Sequence, residues 1–263
     1  MNKGKVTLVG AGPGDPELLT LKAVRAIQDA SVLLVDDLVG DDVVALARTD
    51  ARIVYVGKRG GCKSTPQAFI LKLMVASALE GHHVVRLKGG DPFIFGRGGE
   101  ELEHLHAAGI DASVVNGITA GLAAANALGV PLTHRDHAQG VLLVTGHAKD
   151  AGRSTDWRAL AAASHSARLT LVIYMGVSGV QELQAELLTG LPASTPVAVV
   201  QDASLPTQRF VTGSLGRLAD AVAQARITSP AIIVVGEVTR AAARAAGWTG
   251  QRVHDAPARR SRR

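Results

Sequence analysis

The sequence predicts an α/β protein built as two domains, each with a mainly parallel or mixed sheet. Three observations lead there. Apolar, β-branched runs alternate with helix-period stretches along the chain. The strand runs are nearly continuously apolar, as in sheets covered by helices on both faces. There are nine such runs, more than one open sheet of a 263-residue chain holds comfortably.

In order, the strand runs are VTLVG, SVLLVDD, RIVYVG, VVRLKG and ASVVNG, then GVLLVTGH, TLVIYMG, PVAVVQDA and AIIVVGEV. Helix starts are also legible. Asp15 before Pro16, and Thr65 before Pro66, each set a capping side chain ahead of a proline suited to a first helical turn, and Gly81 closes the second of these helices. The polar, proline-containing stretch GVPLTHRDHAQG, residues 129–140, separates the fifth strand and its helix from a fresh strand. The expected organisation is an N-terminal α/β domain over 1–133, a C-terminal α/β domain over 134–248, and a basic, structureless tail over 249–263.

Composition narrows the classes. At 47% hydrophobic the chain is too apolar for disorder. Lys and Arg number 28 against 23 Asp and Glu, a net charge of +5, but Arg259, Arg260, Arg262 and Arg263 lie in the tail and removing those four leaves +1. A nucleic-acid or acidic-surface role for the tail competes with a simple solvated end, and no nucleic-acid partner is expected. No apolar run reaches the about eighteen residues that a spanning helix needs, and MNKGKVTLVG runs from basic residues straight into a strand. The expectation is a cytoplasmic protein with no membrane partner. With Cys62 the single cysteine and the histidines unclustered, no metal site is expected.

Chemistry collects in the loops that follow strands. The first, GAGPGDP over 10–16, invites comparison with the G-x-G-x-x-G dinucleotide fingerprint and departs from it. Position 15 is Asp, and Pro13 removes a backbone donor from a loop that would otherwise cradle phosphate. The loop suits a neutral or cationic ligand, with a purely structural turn as the alternative. The second strand ends in Asp36, spaced like the ribose-binding acid of a nicotinamide enzyme, or else capping its own turn. The third ends in GKRGG, which sets Lys58 and Arg59 beside Asp36 at the ligand-binding edge of a parallel sheet. Such a carboxylate and ammonium take acid and base roles, or form a structural ion pair.

The fourth strand leads into KGGDPFIFGRGGEE, residues 88–101. Gly89 and Gly90 let a ligand approach the backbone, and Asp91 before Pro92 fixes a carboxylate in a turn. Arg97 suits an anionic substrate, and Glu100 and Glu101 suit the positive end of the helix that follows. After the fifth strand, NGITAG places Thr119 at another helix start.

Together these words are specific. VGAGPGDPELLTLKA, GKRGG, RLKGGDPFIFGRGGEE, GITAG, PLTHR, VTGH, YMG and PAIIVVGEV, in order from residue 9 to 238, resemble the tetrapyrrole methylase family across nearly the whole folded chain. The resemblance implies a homodimer of two-domain class III methyltransferase subunits with S-adenosylmethionine in a cleft between domains. It implies cofactor contacts at Pro13, Gly89, Gly90, Asp91, Ile94, Thr119, Ala120, Met175 and Ala203. It also implies acid and base roles for Asp36 and Lys58, and uroporphyrinogen III and precorrin-1 as substrates. Val35, Cys62, Lys63 and Ala203 stand where relatives often carry other residues. The substrate's eight carboxylates call for cationic anchors, for which Arg59, Arg97 and Arg135 are the candidates, each an ordinary ion pair otherwise.

Overall fold

The computed structural model describes residues 3–57, 65–146 and 155–240. Two compact units divide between Thr119 and Ala120, and each carries its own sheet and core.

The first unit runs β1 (Lys5–Gly10), α1 (Leu21–Asp29), β2 (Val32–Val35), α2 (Asp41–Val44), β3 (Arg52–Tyr55), α3 (Gln67–Leu79), β4 (His83–Lys88), α4 (Gly98–Ala107) and β5 (Asp111–Val115). The strand order is β3-β2-β4-β1-β5, parallel throughout. The period of two along each strand sorts the core onto two faces. Val9, Leu33, Val35, Val85 and Leu87 pack against Ala23 and Ile27 of α1. Val6, Leu8, Leu34 and Val84 pack against Ile70 and Met74 of α3 and Leu105 of α4. All five strands therefore present their C-terminal ends along one edge.

Two helix starts differ from expectation. Asp15 accepts from the Glu17 N–H at 2.9 Å, but it caps only a short 3-10 turn, Pro16–Leu18, and α1 begins later behind Thr20, whose Oγ1 accepts from Ala23 N–H. The turn that Pro16 opens stops at Leu18, and the extended backbone of Leu19 and Thr20 separates it from α1. At α3 the cap position is Pro66 itself, without a side-chain cap bond. Gly81, at φ +92°, closes α3 as expected.

The second unit runs α5 (Ala120–Ala127), β6 (Gly140–Thr145), α6 (Trp157–Ser166), β7 (Leu169–Tyr174), α7 (Val180–Leu187), β8 (Pro196–Gln201), β9 (Arg209–Ser214), α8 (Leu218–Gln224) and β10 (Ala231–Val235). Its order is β6-β7-β10-β8-β9; only β6 and β7 are parallel. β9 had no apolar run to announce it: RFVTGS is an edge strand, hydrogen-bonded only to β8. One face packs Leu171, Ile173, Val199 and Ile233 against Ala161, Leu183 and Leu218, and α5 packs against β7 and β10.

That packing sets the division earlier than the expected 133/134. The GVPLTHRDHAQG stretch belongs to the second unit: His134 and Ala138 exchange backbone hydrogen bonds, and Val130 and Ala138 pack with Val238. It is polar because it is a surface turn, and it marks no boundary. The basic tail lies outside the described residues, and among the described residues no helix is long and apolar enough to cross a membrane.

Candidate active site

The C-terminal edge of the first sheet is built by glycines meeting backbone to backbone. Gly12 and Gly90 exchange hydrogen bonds, N–H to O at 3.2 Å and 2.7 Å, and Ala11 N–H donates to Lys88 O at 2.8 Å. Gly90 has φ +68°, open to glycine at little cost, and its carbonyl lies against the backbones of Gly10 and Gly117. The loops after β1, β4 and β5 are thus zipped together. The N–H groups of Ala11, Gly12 and Gly90 are engaged within the protein, and Pro13 has none. A phosphate cradle needs such donors unpaired, so this loop is ill suited to a pyrophosphate. A cofactor without phosphate, carrying its charge on sulfur, loses nothing by that arrangement.

Asp91 is 7% exposed and fully engaged. Its Oδ1 accepts from Phe93 N–H at 2.8 Å; its Oδ2 accepts from Asn116 Nδ2 at 3.2 Å and Gly117 N–H at 3.1 Å. The carboxylate expected to meet a ligand therefore also clamps the loops on which the site stands. Pro13 and Ile94 are half-buried, and Gly89 packs on Leu38.

Asp36 follows β2. Its Oδ1 accepts from Asp37 N–H at 3.0 Å, and its Oδ2 lies 3.6 Å from Arg86 NH2, with the side chain 34% exposed. The carboxylate therefore caps its own turn and also reaches a buried cation, Arg86. Lys58 and Arg59 lie outside the described residues. Arg97, left-handed at φ 57°, is half exposed and pairs through Nε and NH2 with Glu100.

Sequence reasoning missed the groups beneath Asp36. Arg86, Lys88 and Glu101 are each at most 3% exposed. Arg86 Nε donates to Glu101 Oε1 at 3.4 Å, Lys88 Nζ to the same oxygen at 3.2 Å, and Gln67 Nε2 at 2.9 Å. Glu101 is therefore no surface residue of a helix start; it turns inward from α4. Burial pushes the Lys88 ammonium below its ordinary value, the Arg86 charge adds to this, and Glu101 and Asp36 oppose it. The available signal was the spacing of Arg86 and Lys88, two cations on one face of a strand whose neighbour there, Val84, is core.

The second unit contributes its own strand-end features. Thr119, buried, closes the first unit and Ala120 opens α5. Gly121 N–H donates to Tyr174 Oη at 3.0 Å. Met175 follows β7 at φ 54° and is 48% exposed; Ala203, buried, follows β8 between left-handed Asp202 and Ser204. Non-glycine residues held at positive φ often mark functional loops. Arg135 is exposed and its carbonyl accepts from Gln139.

Residues 5–219 match the family model of tetrapyrrole (corrin/porphyrin) methylases. The chain belongs to the tetrapyrrole methylase family. Over 238 residues this methylase is 56% identical to a uroporphyrinogen-III C-methyltransferase of Pseudomonas aeruginosa, covering 90% of this chain and 95% of that one. It is 50% identical to siroheme synthase 2 of Aeromonas hydrophila, covering 94% of this chain and 52% of that one, so it spans about half the length of such synthases. A uroporphyrin-III C-methyltransferase from Thermus thermophilus, solved with S-adenosylhomocysteine, superposes with a TM-score of 0.77 at 42% identity over 90% of this chain and all of that one. The two-sheet architecture of this methylase is the one its family uses.

Proposed function

We propose that this chain is an S-adenosylmethionine-dependent uroporphyrinogen-III C-methyltransferase. It methylates C2 and then C7, giving precorrin-2 by way of precorrin-1, for sirohaem or cobalamin synthesis. The observation that carries this reading is the 56% identity over 95% of a uroporphyrinogen-III C-methyltransferase. The engaged backbone donors of the β1 and β4 loops support it against a nicotinamide enzyme.

When bound, the cofactor supplies a methyl group activated by the positive charge on its sulfur. The protein's part is alignment and proton handling. Pro13, Gly89, Gly90, Asp91, Ile94, Thr119, Ala120, Met175 and Ala203 are the residues that would hold it. Asp36, as a carboxylate at the edge of the sheet, faces the cation that forms on the macrocycle when the new carbon–carbon bond closes, and takes the proton which that cation then loses to become neutral. Lys58, in the next strand-end loop, supplies or relays a proton. Arg59, Arg97 and Arg135 grip substrate carboxylates, and Arg97 exchanges its exposed Glu100 partner to do so. The enzyme works as a cytoplasmic homodimer.

An anaerobic assay with labelled S-adenosylmethionine and uroporphyrinogen III tests the reading, with methyl groups counted by mass. Transfer of two methyl groups is expected; none transferred overturns it. Asp36→Asn is expected to lower turnover by roughly 10²–10⁴-fold with cofactor affinity intact.

A further inference from the structure

The buried charges beneath Asp36 are unusual for a core position. Arg86, Lys88 and Glu101 sit where the same strand face carries Val84, and where Leu8 and Gly10 of β1 lie beside Arg86 and Lys88 in register. Burying an ion cluster is expensive, and apolar residues of similar size often fill such a space as stably. Stability alone therefore does not account for the trio. The trio also carries one uncompensated charge, two cations to one carboxylate, and the Asp36 carboxylate 3.6 Å from Arg86 supplies the balancing anion.

We propose that Glu101 and Lys88 are positioning residues, which act through Arg86 to hold the Asp36 carboxylate in place and to set the charge it faces. Arg86 is the link: Nε meets Glu101, NH2 meets Asp36, and NH1 donates to the carbonyls of Leu34 and Leu87, which fixes the guanidinium plane between β2 and β4. Glu101 is held in turn by Gln67. Among the described residues its Oε2, fully buried and 3.2 Å from Lys88 Nζ, accepts no hydrogen bond, so Lys88 meets that oxygen as a charge alone. Among the described residues the groups that face Lys88 are Arg86 from its own strand, Glu101 from α4, neutral Gln67 from α3 and Asp36 from the end of β2; β1 brings none. The inference rests on the reading that Asp36 handles the proton.

The two positioning residues have opposite charges, so their removal has opposite signs. Lys88→Met takes a cation from behind Asp36 and is expected to move the acid limb of the turnover–pH profile to higher pH. Glu101→Gln takes away an anion and is expected to move that limb to lower pH. Each shift is about half a pH unit or more. Asp36→Asn identifies the limb by abolishing it, and thermal unfolding confirms that each variant is folded. A merely structural cluster would lower turnover in both variants with the limb in place.

Opposite shifts support the proposal. An unmoved limb, or two shifts of the same sign, overturns it while leaving the role of Asp36 intact. If Glu101→Gln does not fold, Lys88→Met decides alone: an upward shift supports the proposal and none overturns it. An Asp36→Asn variant with wild-type turnover and an unchanged limb removes the underlying reading instead.

Discussion

Asp91 and Gly117 bind each other across a strand that lies between them. Asp91 follows β4 and Gly117 follows β5, with β1 between, and Asp91 Oδ2 accepts the Gly117 N–H at 3.1 Å. Three donors converge on this buried carboxylate. Asp91→Ala leaves all three without their acceptor, and the expected loss is roughly 2–4 kcal/mol of stability, since buried unsatisfied donors cost 1–3 kcal/mol each and the loops relax in part. Cofactor affinity should fall with it. Urea unfolding curves that overlay the parent would dismiss the clamp.

The contact of Gly10 with the backbone of Gly117 makes a second, sharper expectation. A Cβ at Gly10 would sit 2.5 Å from Gly117 N and 2.7 Å from Gly90 O, whereas one at Gly99 meets nothing within 4 Å. Gly10→Ala should cost about 3 kcal/mol or more, because backbone on both sides cannot step aside. Gly99→Ala, in the first turn of α4, should be neutral or stabilise by a few tenths to ~1 kcal/mol. Equal unfolding midpoints for the two variants would contradict the packing.

Much of this was legible in advance, for identifiable reasons. Among the described residues nine of ten strands read directly because each carries an apolar, β-branched run. β1, β2, β4, β7, β8 and β10 are buried along almost their whole length, and β3, β5 and β6 keep the run although they are more exposed. β9 escaped because RFVTGS breaks its apolar run with Thr, Gly and Ser and buries only Val211. The domain boundary was set late because a polar, proline-bearing turn looks like a linker, while the packing of α5 on β7 and β10 is a tertiary choice with no local signature. Asp36 and Asp91 were singled out because acids at strand ends stand out. Arg86, Lys88 and Glu101 were not, because a long-range ion cluster joins positions whose pairing only the fold reveals.

Tyr174 supports the start of α5 from β7. Its hydroxyl, on a side chain 8% exposed, accepts the Gly121 N–H at 3.0 Å, one of the donors a helix start leaves without an internal partner. Tyr174→Phe is expected to cost about 1–3 kcal/mol and, with Ala120 in the proposed cofactor site, to weaken cofactor binding. Gly121→Ala sets a Cβ 2.4 Å from Tyr174 Oη and 2.6 Å from Val172 Cγ1. Combining the two should relieve part of that clash, so the double variant should fall short of the summed losses by roughly 0.5 kcal/mol or more. Strict additivity in denaturant titrations would rule out the coupling.

His83 gives the fold an acid-side weakness at the other end of β4. Nδ1 lies 3.2 Å from Asp29 O, to which it can only donate, and Nε2 lies 3.3 Å from Thr7 Oγ1, from which it accepts when the ring is neutral. Burial pushes its pKa below the ordinary 6.5, the Lys5 charge adds to this, and Asp29 opposes it. The unfolded chain therefore binds the proton first as pH falls, and stability is lost from about 6.5 downward until the folded ring also protonates. His83→Gln should flatten stability against pH across that window and leave the acid limb of turnover where it is, because His83 sits at the strand end away from Asp36. Parent and variant with the same slope in urea unfolding between pH ~5 and ~6.5 would exclude His83 as the source.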